Sequence, residues 1–195
     1  MENSPLLLVL TGKTASGKDT IMSKLLNQLP NVKRVVTTTS RTPRAGEKNE
    51  VDYYFVSEDD FKKKIESKDF IEYVSYGGNF YGTQKVHITN NLQSNLIWRI
   101  DPSRAGQIKD FIKAAFDSKL AEQLLKRVKV IYLTVDDATV INRLQHRGLT
   151  EQEINTRMEE DARFWQQYQG SYDDVVENIP GQLEETVNKV LNIIK

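Results

Sequence analysis

Gly12, Gly17 and Lys18, in the stretch "GKTASGKD", have the spacing of a phosphate cradle. Two glycines flank four residues, and a lysine follows directly. The glycines let the backbone bend so that successive N–H groups point inward, and a helix running on from Asp19 adds its positive end. The Lys18 ammonium is a mobile point charge for β- and γ-phosphates. Gly12, Lys13, Thr14, Ala15, Ser16, Gly17 and Lys18 are therefore read as the grip on a nucleoside triphosphate. The last position of the P-loop pattern holds Asp19 instead of Ser or Thr. A carboxylate there can ligate Mg²⁺, directly or through water, and it also suits the first turn of a helix. Thr20 offers a hydroxyl for the metal, and Asp101, at the end of "NLIWRID", is a second candidate carboxylate.

Arg41 and Arg44 lie three apart in "TTTSRTPRAGE". Guanidinium forks match phosphate oxygens, Pro43 stiffens the segment and Gly46 lets it turn. Taken alone, two loop arginines read as solvated surface. His87 and His146 have no identifiable partner, and no metal-ligand spacing is present.

The elements needed to position these groups are legible. "LLLVL" is a continuous apolar run ended by Gly12, as for a strand buried on both faces. "DTIMSKLLNQL" places Ile21, Leu25 and Leu29 at helical spacing, with Pro30 as the stop. "SEDDFKKKIES" has a capping pattern at Ser57 and Asp60. "FIEYVSYGGNFYGT" reads as strand, glycine turn and strand, and "NLIWRID" as a buried strand. One long helical stretch is expected from about Ser103 to Arg127. "VKVIYLTV" predicts a strand and "DDATVINRLQHRG" a helix ended by Gly148. "TEQEINTRMEEDARFW" predicts a helix opened by a Thr150/Glu153 capping box, with Ile154, Met158 and Trp165 stacked. "DDVVENIPG" predicts the last strand and "QLEETVNKVLNIIK" the last helix. Strands alternating with helices imply a parallel sheet covered on both faces.

The chain has 195 residues, with 27 Lys+Arg balancing 27 Asp+Glu. Zero net charge argues against wholesale electrostatic binding of nucleic acid. The lack of cysteine excludes disulfides and thiolate metal sites and fits a reducing, cytoplasmic compartment. No apolar run approaches the roughly 20 residues that span a bilayer. The opening "MENSPLLLVL" reads as a first strand rather than a signal peptide.

"TTTSRTPRAGE", "VDYYF", "FIEY" and "GNFYGT", followed by "NRLQHRG" and "INTRM", resemble in order and spacing the guanylate kinases over nearly the whole chain. The resemblance implies a P-loop three-layer α/β/α fold with a parallel core sheet (about 1–35, 96–140 and 170–195). It also implies a small β-rich GMP-binding subdomain (36–95) and a helical lid (141–169). Its implied activity is ATP-dependent phosphorylation of GMP to GDP with Mg²⁺, by a monomer or homodimer with no nucleic-acid or membrane partner. Arg41, Arg44, Tyr53 and Tyr81 then resemble the clamp on the GMP phosphate. Thr37 stands where the family donates to guanine O6. Glu72 resembles the carboxylate that accepts from N1–H and the 2-amino group, which adenine does not present. Thr83 resembles a further guanine contact, and Asp101 belongs with the acceptor side as well as the metal. Arg143 and Arg157 resemble lid arginines on the transferring phosphate, while Arg147 and Asn178 fall on the adenine side of ATP.

The chain departs from the pattern at three places. Asp19 replaces the P-loop hydroxyl. Arg99, two before Asp101, stands where the family usually carries an acid, which reverses the local charge and suits either a salt bridge to Asp19 or loss of the metal site. The stretch after Asp101 is long. Two rival readings are a P-loop kinase for another nucleoside or deoxynucleoside monophosphate, and an idle module that uses the clamp to hold a phosphopeptide.

Overall fold

The computed structural model describes residues 5–29 and 31–194, so Pro30 lies outside the described residues. β1 (Leu7–Gly12) is buried at every position and runs through the middle of a parallel sheet. It lies between β7 (Asn95–Arg99) and β8 (Val128–Thr134), with β2 (Val32–Arg34) and β9 (Asp174–Glu177) outermost. Parallel strands are covered on both faces, and for this reason "LLVL" is apolar without alternation. Leu7, Val9, Trp98 and Tyr132 face one layer, which includes Ile108, Ile112 and Leu124. Leu8, Leu10, Ile97 and Leu133 face the other, where Ile21 and Leu25 of α1 (Lys18–Gln28) meet Val187 and Val190 of α9 (Leu183–Ile194). The result is the three-layer α/β/α arrangement that the alternating pattern implies.

A second sheet has the order β4 (Tyr54–Phe55), β3 (Thr38–Thr39), β6 (Asn79–Gln84), β5 (Phe70–Tyr76). β5 and β6 form the expected hairpin, and Gly77 and Gly78 at φ 57° and 73° supply its turn. α2 (Glu58–Glu66) covers this sheet by stacking the fully buried Phe61 on Phe70 and Phe80. The Ser57 hydroxyl caps α2 by accepting from the Asp60 N–H. A short α3 (Lys85–Thr89) leads back toward β7. The β-branched run "VKRVVTTTS" is divided between the two sheets and so ties them together.

α7 (Asp137–His146) and α8 (Glu151–Tyr168) form an arm over the carboxyl ends of β1 and β8. Thr150 and Glu153 make the expected reciprocal capping box. Val140, Leu144 and Ile154 pack with Ala15 and Val135, which anchors the arm on the glycine-rich loop.

The single helix expected over Ser103–Arg127 is instead three: α4 (Pro102–Gly106), α5 (Ile108–Ala115) and α6 (Ser118–Leu125). The first break falls where the chain passes the Tyr168 ring, and a Cβ on Gly106 would meet that ring at 2.5 Å. At the second, Phe116 is extended and the Asp117 carboxylate accepts from Leu120 N–H, which starts a new helix. α1 also ends one residue early, with Leu29 extended.

Candidate active site

The loop after β1 is bent as the glycines allow. Gly12 has φ 145°, and a Cβ there would lie 2.1 Å from the Leu133 carbonyl oxygen, so no other residue fits. Gly17 has φ 89° and opens α1. The loop is braced from three sides. Asn178 Nδ2 donates to the Ser16 carbonyl at 2.8 Å, and Arg143 Nη1 to the Ala15 carbonyl at 2.7 Å. Asp161 of α8 accepts from Thr14 N–H at 2.7 Å. Lys13 is tied to the Val135 carbonyl and to Asp137.

Lys18 Nζ donates to the Gly12 and Lys13 carbonyls, both at 2.8 Å, and is thereby aimed across the loop. It opens onto the cleft but is surrounded by protein on most sides. Desolvation, with Arg99 as the next contributor, brings its pKa from 10.5 down to about 8. A polyanion in the loop would oppose both effects by favouring the ammonium. Ser16 Oγ is fully buried and has no hydrogen-bond partner. The bend of the glycine-rich loop and the lysine aimed across it fit a phosphate chain.

A cleft of about 320 Å³ lies between the two sheets and the arm. Lys18, Thr37, Tyr53, Glu72, Tyr81, Asp101 and Arg157 line it, so it brings the loop lysine, one arm arginine and five of the eight residues expected around GMP together. Arg41 and Arg44 line an adjoining cavity that shares Tyr53 and Tyr81 with the cleft and reaches Asp19. Arg41 Nη2 contacts both Glu47 oxygens, at 2.8 and 2.9 Å, and its guanidinium lies over the Tyr53 ring. Glu47 also accepts from Arg44 N–H and so shapes the loop between the two arginines. On the far side of the glycine-rich loop, Thr20, Arg143, Arg147 and Asn178 line a third hollow with Gly17.

Glu72 is 4% exposed at the cleft floor. Burial pushes its carboxyl from 4.5 up to about 7, against the opposing pull of the Thr83 hydrogen bond. Thr83 does not face the cleft as a base contact would. It is fully buried behind Glu72, where its hydroxyl donates to Glu72 Oε1 at 2.6 Å and accepts from Trp98 Nε1 at 2.9 Å. In this arrangement the Thr83 hydroxyl braces Glu72 from behind. Replacing Thr83 with valine keeps the shape but strands two buried polar groups. We expect a loss of about 2 kcal/mol in unfolding free energy, read from the urea midpoint. The GMP KM should rise while the ATP KM stays near wild type.

Metal-binding capacity is modest. Among the described residues, no group of three or more His, Cys, Asp or Glu side chains could hold an ion. Asp101 Oδ1 already accepts from both Ser103 N–H and Ser103 Oγ, and Asp19 is paired with Arg99. Thr20 stands exposed at the start of α1. This set suits Mg²⁺ bound mainly by phosphates and waters, with one or two protein oxygens.

Four contributors escaped the sequence reading: Arg34, Glu47, Trp98 and Asp161. Arg34 lines both the cleft and the adjoining cavity. Asp161 carried a usable signal. It falls on the stripe Ile154, Met158, Trp165, where an acid needs a buried partner.

A central parallel sheet, a glycine-rich loop ahead of a helix, and two facing anion pockets under a helical arm define a P-loop nucleotide-kinase architecture. The family model described as guanylate kinase matches residues 4–195, and the chain belongs to that family. It is 30% identical to the guanylate kinase of Prochlorococcus marinus subsp. pastoris (strain CCMP1986 / NIES-2087 / MED4) across the full length of both chains. It is 31% identical to that of Desulfitobacterium hafniense (strain Y51), over 99% of this chain and 90% of the relative. The crystal structure of guanylate kinase from Anaplasma phagocytophilum shares the fold, with a TM-score of 0.69 at 23% identity over 100% of this chain and 86% of its own.

Proposed function

We propose that the facing pockets carry out guanylate kinase chemistry, in which ATP and GMP become ADP and GDP, with the residue roles that follow. The observation that carries this reading is the single cleft lined by both Lys18 and Glu72. The Lys18 ammonium and the buried Glu72 carboxyl thus share one cavity, which supports a phosphate-directed role for the first and a base-reading role for the second.

ATP occupies the loop from Gly12 to Thr20, with its base toward Arg147 and Asn178. GMP lies across the cleft, its phosphate held by Arg41, Arg44, Tyr53 and Tyr81. Thr37 and Glu72 read the guanine. A nonbridging oxygen of the GMP phosphate attacks the γ-phosphorus, the bond from that phosphorus to the β,γ-bridging oxygen breaks, and ADP leaves with the bridging oxygen. The nucleophile is already an anion, so no general base is required. Lys18, Arg143 and Arg157 offset the charge on the transferring group. Thr20, Asp101 and Asp19 are the residues that would hold Mg²⁺, which supplies charge neutralisation on the phosphates when bound. Closure of the arm (141–169) and of the GMP-binding region (36–95) over the core would exclude water.

No helix of the described residues is long and apolar enough to cross a membrane. A cytoplasmic location follows from the proposed use of ATP and GMP and from the lack of cysteine. All the roles fall within one chain, so monomer and homodimer serve equally. ADP release measured with a panel of nucleoside monophosphates tests the reading. GMP is expected to be preferred over AMP by at least about 10³-fold in kcat/KM. Preference for another monophosphate would point to the rival kinase, and lack of turnover to the binding module.

A further inference from the structure

Arg99 ends β7 between the two pockets. Its Nε pairs with Asp19 Oδ1 at 2.9 Å and its Nη2 donates to Tyr53 Oη at 3.2 Å. It lines the cleft that holds Lys18 and also the cavity that holds Arg41 and Arg44. Arg34 shares both spaces, but its Nη2 is committed to the Asp52 carbonyl. Arg99 differs in its partner. The Asp19 side chain is 73% exposed, and an ion pair with so exposed a carboxylate holds the guanidinium only loosely. A guanidinium carries five donors, so most of this one's capacity remains for a ligand.

We propose that Arg99 is a third guanidinium for the acceptor phosphate, placed on the side facing the P-loop, and that Asp19 positions it before substrate arrives. The inference rests on the guanylate kinase reading. Before binding, Arg99 leans on Asp19 and Tyr53. The GMP phosphate dianion then takes the guanidinium donors that Asp19 and Tyr53 leave free, while the Nε–Asp19 pair persists. The arrangement also explains how Asp19 is tolerated beside the triphosphate, because its negative charge is matched by an adjacent cation. Arg99 forms and breaks no covalent bond.

The test compares GMP and guanosine binding by calorimetry, together with both KM values, in wild type, Arg99→Gln, Arg99→Lys and Asp19→Asn. Arg99→Gln is expected to weaken GMP about 20-fold, leaving guanosine affinity and the ATP KM within about twofold. Arg99→Lys should recover part of that loss. Asp19→Asn, at an exposed position where folding is not at risk, should weaken GMP a few-fold in wild type and do nothing further in the Arg99→Gln background. GMP affinity unchanged in Arg99→Gln would overturn the proposal, as would an equal loss for GMP and guanosine. Should Arg99→Gln fail to fold, Arg99→Lys and Asp19→Asn decide the matter by the same GMP-to-guanosine contrast. A wild type that binds GMP no better than AMP defeats the guanylate kinase reading itself. Normal GMP preference with a silent Arg99 defeats only the role of Arg99.

Discussion

Lys18→Met is expected to lower kcat for GMP phosphorylation by about 10³-fold while GMP affinity stays within about threefold. Methionine keeps most of the stem volume and removes the charge. The lysine reaches across its own loop to the Gly12 and Lys13 carbonyls and is therefore fixed before ATP arrives. A preorganised cation in a partly desolvated site acts most strongly where charge develops, and loss of one such donor typically costs 10²–10³ in rate. Its pKa near 8 adds a pH signature. In the free enzyme Lys18 loses its proton above about 8, so the ATP KM should climb there in wild type and stay flat in Lys18→Met. Single-turnover rates with saturating ATP and GMP, together with ATP KM values from pH 6.5 to 9.5, check both statements. A kcat within tenfold of wild type would contradict the role.

Glu72→Gln is expected to raise the GMP KM about 100-fold and leave the ATP KM within about twofold. The amide can accept one of the two guanine donors but turns its own N–H₂ toward the other, in a site too buried for water to repair the mismatch. Equal effects on the two substrates would argue against Glu72 as the guanine reader. The same variant tests the electrostatics without any ligand. The carboxyl titrates near 4.5 when unfolded and near 7 when folded, so the fold prefers the protonated form. That preference contributes fully below about pH 4.5 and is lost as pH rises through about 7. At pH 8 wild type therefore carries a buried charge that Glu72→Gln lacks. The variant should be more stable there by on the order of 3 kcal/mol, and the difference should close toward pH 4.5. Guanine donors favour the carboxylate, so base binding should release a proton below about pH 7. Guanosine makes the cleaner probe because it has no phosphate to titrate. Its affinity should fall by up to about tenfold per pH unit between about 7 and 5.

The parts of this molecule that could be read from sequence are those set by local chemistry. The glycine-rich loop, the Thr150/Glu153 box and the Gly77–Gly78 hairpin need only their own residues. The buried central strand announced itself through "LLLVL". Arg41, Arg44, Tyr53, Glu72 and Tyr81 were assigned through a resemblance, because nothing local marks a strand glutamate as a base reader. What stayed hidden depends on distant parts of the chain. The break after Gly106 lies against the ring of Tyr168, 62 positions later. Thr83 sits in "GNFYGT" as a contact would, but its hydroxyl is committed between Glu72 and Trp98 once two strands and the core sheet meet. Asp161 looks like one more acid on a charged helix until the helix docks and its carboxylate meets Thr14 N–H. For Arg99, the sequence posed a choice between a salt bridge and a disabled site. In the folded chain Arg99 pairs with Asp19.

The central claim, that one cleft moves a phosphoryl group from the loop around Lys18 to a guanine nucleotide read by Glu72, has a direct measurement. ATP labelled at the γ-phosphorus is incubated with the protein, Mg²⁺ and GMP, and the products are separated. The label should appear in the β-position of GDP in equal amount to the ADP formed, and not when AMP replaces GMP. Label released as inorganic phosphate with no GDP formed, or label passed equally to AMP, would contradict the account.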